Sequence, residues 1–224
     1  MGLKNRKKVC FIGTGYEDML LFVIPVLKVL GLKQLILDLT GDHRFYSCVP
    51  HVEGIDPEES ILDLSGAGYA FLKDEGRKEN REEAEYDTVF LLYDLSYLKK
   101  GAAFNEDTFV IISTDEQRMN IEMLEEAKLL RGDLLIVRNY TGAADKRLEG
   151  ILKKISFDKV HAIPPSLLDL KTGIKAQYRI KYSFSSISGE LSQSLMKIIG
   201  NIAGDFSEKE IWKAFKKAGK GKYN

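Results

Sequence analysis

Five short apolar runs recur along the chain, at Lys8–Gly13, Gln34–Leu39, Thr88–Tyr93, Thr108–Ser113 and Asp133–Val137. Each is rich in β-branched or aromatic residues and is hydrophobic continuously rather than at alternate positions, so each reads as a strand covered on both faces. Helix-length segments such as Gln117–Arg131 separate them. Strands that alternate with helices and need cover on both faces predict an α/β fold: a doubly wound, mainly parallel sheet flanked by helices, in a single domain. The first forty residues set the pattern, with the turn Gly13-Thr-Gly15, a helix over Asp18–Leu30 ended by Gly31, and a second strand. Pro25 lies inside that helix. Proline removes a backbone donor at a cost of about 3 kcal/mol, which predicts a kink or a late helix start.

Between Thr40 and Glu85 the chain reads as loops with a short helix near Ile61–Leu72, and the charged run Lys73–Glu85 reads as a solvated face. Phe157–Ile163 adds a strand that stops at Pro164-Pro165, and Gln177–Phe184 is a further candidate strand. Gly189–Ile202 has helical spacing in Leu191, Leu195, Ile198, Ile199 and Ile202.

Several functional classes are excluded by composition. Lys+Arg and Asp+Glu number 33 each, so the formal charge is zero and no global nucleic-acid coat is expected. The longest apolar run, Met19–Leu27, is far short of the roughly 20 residues needed to span a bilayer as a helix. The basic start has no clean signal-peptide core behind it, and Cys10 and Cys48 supply no disulfide framework, so the expected compartment is cytoplasmic. His43, Cys48 and His51 form a loose cluster without a fourth ligand and read as a surface loop rather than a metal site.

In an open parallel sheet, ligands bind beyond the carboxyl ends of the strands, and the first strand-to-helix turn is the usual phosphate site. Here that turn is Gly13-Thr14-Gly15-Tyr16-Glu17-Asp18. As a dinucleotide fingerprint it supplies Gly13 and Gly15, with Asp38 about 20 residues on as the ribose acid, but Asp18 replaces the third glycine. An NAD-binding protein is therefore one reading.

A second reading comes from the order of the pieces. Leu35–Thr40, Glu85–Ser96 with Asp94, Phe109–Asp115, Leu134–Tyr140 with Asn139, and Val160–Pro165 follow one another as do the strands and switches of the ParA/MinD family of P-loop ATPases, which the chain resembles over about residues 7 to 203. The resemblance implies an ATP or ADP site formed by Gly13, Thr14, Gly15, Asp38, Asp94, Asn139 and Pro164, with Asp94 supporting magnesium and Asn139 and Pro164 beside adenine. The family's two loop lysines are missing, since none lies between Gly13 and Leu27, and Thr40 stands where its hydrolytic aspartate belongs. Glu17 and Asp18 are expected instead to cap the first helix, stabilise it by about 0.3–1 kcal/mol and repel a triphosphate. The resemblance thus implies a degenerate member: a weak nucleotide binder without turnover, in positioning, scaffolding or assembly, with the localisation factors of Tad/Flp pili as a candidate setting. An active ATPase with an atypical loop is the enzyme alternative. Family analogy adds a homodimer or protein partner.

Residues 1–204 read as the α/β domain and 205–224 as a basic amphipathic tail with six lysines against three acids. Ile211, Trp212 and Phe215 share one helical face beside Lys216 and Lys217, the pattern of a segment that meets an anionic membrane or a partner groove.

Overall fold

A computed structural model describes residues 7–48, 61–64, 67–71, 85–100, 104–129, 131–178 and 183–221. Among these residues, eight strands form one sheet in the order β3-β4-β2-β5-β1-β6-β7-β8. They are β1 Lys7–Gly13, β2 Gln34–Asp38, β3 Leu62–Leu64, β4 Ala67–Phe71, β5 Thr88–Tyr93, β6 Thr108–Asp115, β7 Arg131–Arg138 and β8 Ser156–Ile163. All neighbours are parallel except β3, which runs antiparallel to β4 at the edge. The doubly wound, mainly parallel sheet read from the five apolar runs is therefore observed.

Among the described residues, six α-helices follow in chain order: α1 Glu17–Val29, α2 Arg118–Glu125, α3 Asp145–Lys154, α4 Leu167–Gln177, α5 Gly189–Ile202 and α6 Glu208–Gly219. Alternate residues of β1 face opposite layers. Val9 and Phe11 join a core with α1, α5 and α6, while Cys10 and Ile12 join one with α2 and α3. Helix α1 is buried nearly all round, from Met19 to Leu27, because α4, α5 and α6 pack around it. This explains why Pro25 does not delay the helix, which starts at Glu17. Each fully buried large side chain contributes about 1.5–3 kcal/mol, and eight buried positions outweigh one lost donor.

Two sequence expectations are corrected. Ile61–Leu72 contains the strands β3 and β4, not a helix, and β4 pairs with β2. Glycines at 66 and 68 each cost a helix about 1 kcal/mol. In the strand, Gly68 has a positive use: a Cβ there would lie 2.5 Å from the Tyr86 hydroxyl and 2.9 Å from Ile61 Cγ2. Gln177 ends a helix, α4, rather than opening a strand, and residues 183–184 are irregular. Ser166 caps α4 by accepting the Asp169 amide at 3.2 Å, so the Ser-x-x-Asp after the double proline carried the signal. Most of the charged run, residues 73–84, lies outside the described residues, as does His51. Cys48 is buried at the end of a short 3-10 turn, where burial pushes its thiol up to about 11. Among the described residues no group of metal-ligating side chains comes together.

Candidate functional site

The carboxyl ends of β1, β6, β7 and β8 surround a cleft of about 240 Å³. Thr14, Gly15, Asn139 and Pro164 line it, and α4 forms its outer wall through Leu170 and Ile174. Asn139 adopts a left-handed backbone (φ 52°), and the next amide, Tyr140 N–H, donates to Ile163 O at 2.9 Å. That turn brings the ends of β7 and β8 together behind the glycine loop. The volume lies below the roughly 300–1,000 Å³ of most small-molecule pockets.

The loop itself is held down. Gly13, with φ 131°, lies so close to β6 that the Thr14 amide donates to Ser113 O at 2.9 Å while the Ser113 hydroxyl donates to Thr14 O at 2.7 Å. Both polar backbone groups of Thr14 are thus engaged by β6. A phosphate loop follows its last glycine with lysine and then serine or threonine. Here Gly15 is followed by Tyr16 and Glu17. Tyr16 is buried with its ring 5.6 Å from that of Phe11, and it offers α1 no side-chain cap. Burial, then the fields of Glu17, Asp38 and Asp94, push its hydroxyl pKa far above the ordinary value.

Asp18 does not cap the helix, which corrects the sequence expectation. Its carboxylate takes both terminal nitrogens of Arg138, at 2.8 and 2.9 Å, and Arg138 also donates to Gly15 O at 3.1 Å. Both side chains keep only 13% of their surface exposed. A bidentate, charge-assisted pair is stronger than a cap exposed to water, which accounts for the choice. Burial works against the Arg138 charge, but the Asp18 carboxylate more than offsets it and holds the guanidinium pKa above its usual value. Including Glu17, Asp115 and Asp169, the described lining residues carry four acids against this one base. Asp169 is itself committed, accepting the Ser188 amide and hydroxyl at 2.6 Å each and so tying α4 to the start of α5.

Asp38 and Asp94 lie outside the lining. Asp38 is fully buried and accepts the Thr40 amide (3.0 Å), the Thr40 hydroxyl (2.6 Å) and the Tyr69 hydroxyl (2.9 Å). Asp94 accepts the Gly41 amide at 2.8 Å, which fixes the loop after β2 against the end of β5. Of the residues nominated from sequence, Thr14, Gly15, Asn139 and Pro164 therefore meet in one cleft, Gly13 braces the loop, and the two strand-end acids lie outside it, each bonded to the loop after β2. Arg138 and Tyr16 were not legible as site residues. The partner of Arg138 is 120 residues away.

No protein-family model matches the chain, and no curated protein sequence matches it. Among solved structures, the MinD cell division protein of Aquifex aeolicus gives a TM-score of 0.53 over 89% of this chain and 98% of that chain, at 14% identity. The fold is that of MinD. The MinC:MinD cell division protein complex from Aquifex aeolicus and a ParA family ATPase from Chlorobium tepidum TLS each give 0.49, at 14% and 10% identity. They cover 86% and 94% of this chain and 96% and 97% of theirs.

On this MinD fold the last helix is divided between two tasks. Ser207 and Glu210 form a capping box at the start of α6. Ile211, Ala214, Phe215 and Ala218 are buried against α1, and Phe215 meets Phe184 edge-on at 5.5 Å. Ile211 and Phe215 thus belong to the core of this copy rather than to a free apolar face. Trp212 stays 43% exposed, parallel to the Phe215 ring with Lys216 Nζ 4.8 Å from its centroid, and Lys217 is exposed as well.

Glu17 supplies a test of the site's electrostatics. Burial raises its carboxyl pKa above the ordinary value, offset in part by its own amide, and Asp18 raises it further. A folded-state pKa above the unfolded one means the folded chain binds more protons in between, so stability falls as pH rises through that window. Glu17→Gln should therefore melt higher than the parent at pH 7 and at the same temperature near pH 4. Equal melting temperatures at both pH values would show that Glu17 carries no burial penalty.

Proposed function

We propose that this chain is a degenerate ParA/MinD-like protein that binds and positions partners without hydrolysing ATP. The observation that carries the reading is the Asp18–Arg138 pair closed over the Gly13–Gly15 loop, with Tyr16 and Glu17 where a phosphate loop has lysine and a hydroxyl. Phosphoryl transfer depends on cations that neutralise charge developing on the γ-phosphate. Among the described residues, the one cation that lines this cleft is already paired with Asp18, and three further acids line it as well. ATP or ADP remains a candidate for weak binding through Asn139, Pro164 and the backbone of Gly15. The work is then assembly or localisation, and pilus assembly is the setting that the sequence resemblance suggests. The exposed face of α6, Trp212 with Lys216 and Lys217, adds a candidate contact with an anionic membrane surface from the cytoplasmic side.

Purified protein should show no ATP turnover above background with or without magnesium, and calorimetric titration should show at most weak nucleotide binding. Turnover that disappears in Asp94→Ala would overturn the reading. Co-sedimentation with anionic vesicles tests the α6 face: binding should weaken with salt and with Trp212→Ala, and no binding at low salt removes the membrane from the proposal.

A further inference from the structure

Helix α4 presents an unusual outer face. Leu167, Leu170, Ile174 and Tyr178, just past its end, are 66%, 57%, 46% and 84% exposed, at the spacing of one helical stripe. The exposed Lys171 and Lys175 lie one turn apart beside it. The helix's one acid, Asp169, is buried and bonded to Ser188, so the outer face is apolar with two positive charges. Exposed apolar patches of this kind mark interaction surfaces.

A matching surface lies on the other side of the sheet. There α3 and β8 enclose a groove of about 250 Å³ with Leu148, Leu152, Val160 and Ala162 in its lining. Leu152 and Val160 are 38% and 45% exposed. Among the described residues, the charged side chains that line it are Asp145 and Glu149, also one turn apart. The Tyr140 hydroxyl donates to Asp145 at 2.6 Å and holds it at the rim. Of the four cations of α3, Arg147 and Lys154 are drawn instead to Glu125 and its carbonyl on the α2 side, while Lys146 and Lys153 remain on the helix beside Glu149.

We propose that α4 of one copy docks in the α3/β8 groove of a second copy, setting Lys171 and Lys175 against Asp145 and Glu149, and Leu170 and Ile174 against Leu152 and Val160. Residues four apart on a helix sit about 5–6 Å apart, so the two charge pairs match in spacing as well as in sign. The two surfaces lie in opposite helix layers, since α4 packs on α1 while Leu148 and Ile151 of α3 belong to the core shared with α2. One copy therefore cannot satisfy itself. A contact between unlike surfaces is head-to-tail, and it propagates unless its rotation closes a ring. Charge complementarity selects a second copy over an anionic membrane, because the basic α4 face has a built acidic counterpart on the same chain. Because Leu170 and Ile174 also form the outer wall of the cleft beside Gly15 and Asn139, a docked copy covers that side of it.

Sedimentation velocity of the full-length protein over a concentration series provides the test. The weight-average sedimentation coefficient should rise with concentration and fall with added salt. Lys171→Glu/Lys175→Glu should be monomeric, and so should Asp145→Lys/Glu149→Lys. A 1:1 mixture of these two variants should associate again, because each carries the surface that the other's altered face requires. Glu149→Lys alone replaces the second variant if loss of the Tyr140 bond impairs folding. A parent chain that stays monomeric to about 1 mM, a limit beyond which the contact carries no assembly, overturns the proposal. So does association indifferent to the reversals, or a mixture of folded variants that stays monomeric. Pelleting with anionic vesicles that is lost in Lys171→Glu/Lys175→Glu, without self-association, would assign the face to a membrane and likewise overturn it.

Discussion

Asp18→Ala should lower the stability of the folded chain by about 3 kcal/mol, or roughly 6–12 °C in melting temperature for a domain of this size. Removing one partner of a buried pair leaves the other charge without compensation, a loss usually of about 3–5 kcal/mol. The lower end applies because each side chain keeps 13% of its surface in water and Arg138 retains its bond to Gly15 O. Asp18→Ala/Arg138→Ala should cost less than the sum of the two single changes by about 1–3 kcal/mol, since neither charge is then stranded. Urea denaturation of the four proteins measures this coupling, and additive costs would mean that the pair does not hold the junction.

The same substitution has a chemical consequence. Without Asp18, the Arg138 guanidinium loses its bidentate partner beside the start of α1, where the helix dipole also favours an anion. Phosphate or ATP should then raise the melting temperature of Asp18→Ala while leaving that of the parent nearly unchanged, because a ligand stabilises the state that binds it. The acid read from sequence as a repellent for phosphate therefore acts through a basic partner supplied from β7.

That difference shows where sequence reading ends. The sheet was legible because five runs such as Thr88–Tyr93 are apolar without alternation, a property that depends only on neighbours along the chain. Asn139 and Pro164 are nominated through the family resemblance, as residues beside adenine, and both line the cleft. Arg138 carries no such signal. A basic residue closing a strand reads as a solvated end, and nothing local shows that β7 delivers it to Asp18 across the first turn. Ile61–Leu72 failed for a related reason, since the aromatic and aliphatic neighbours that favour Gly68 in a strand include Tyr86, 18 residues away. The face of α6 was legible as amphipathic, but which of its aromatics is buried depends on Phe184 and α1.

Gly13→Ala should be the most damaging single methyl in the protein's first turn, costing more than about 4 kcal/mol. Gly13 has φ 131°, and a Cβ built on it would lie 1.8 Å from Ser113 O and 2.9 Å from Ser113 C. The obstacle is backbone in the middle of β6, paired in register with β1, so no rotamer change or truncation at Ser113 relieves it. Relief would require β1 and β6 to separate, breaking the Thr14–Ser113 bonds that hold the loop down. Gly31→Ala is the matched control. Gly31 also has a positive φ, 77°, just beyond α1, but no atom lies within 4 Å of its added Cβ. It should cost only about 1–2 kcal/mol, the conformational penalty of a left-handed non-glycine residue. The gap between the two variants in urea denaturation isolates the clash from the dihedral. If they cost the same, the first glycine serves chain direction alone, and β6 does not clamp the loop from beneath.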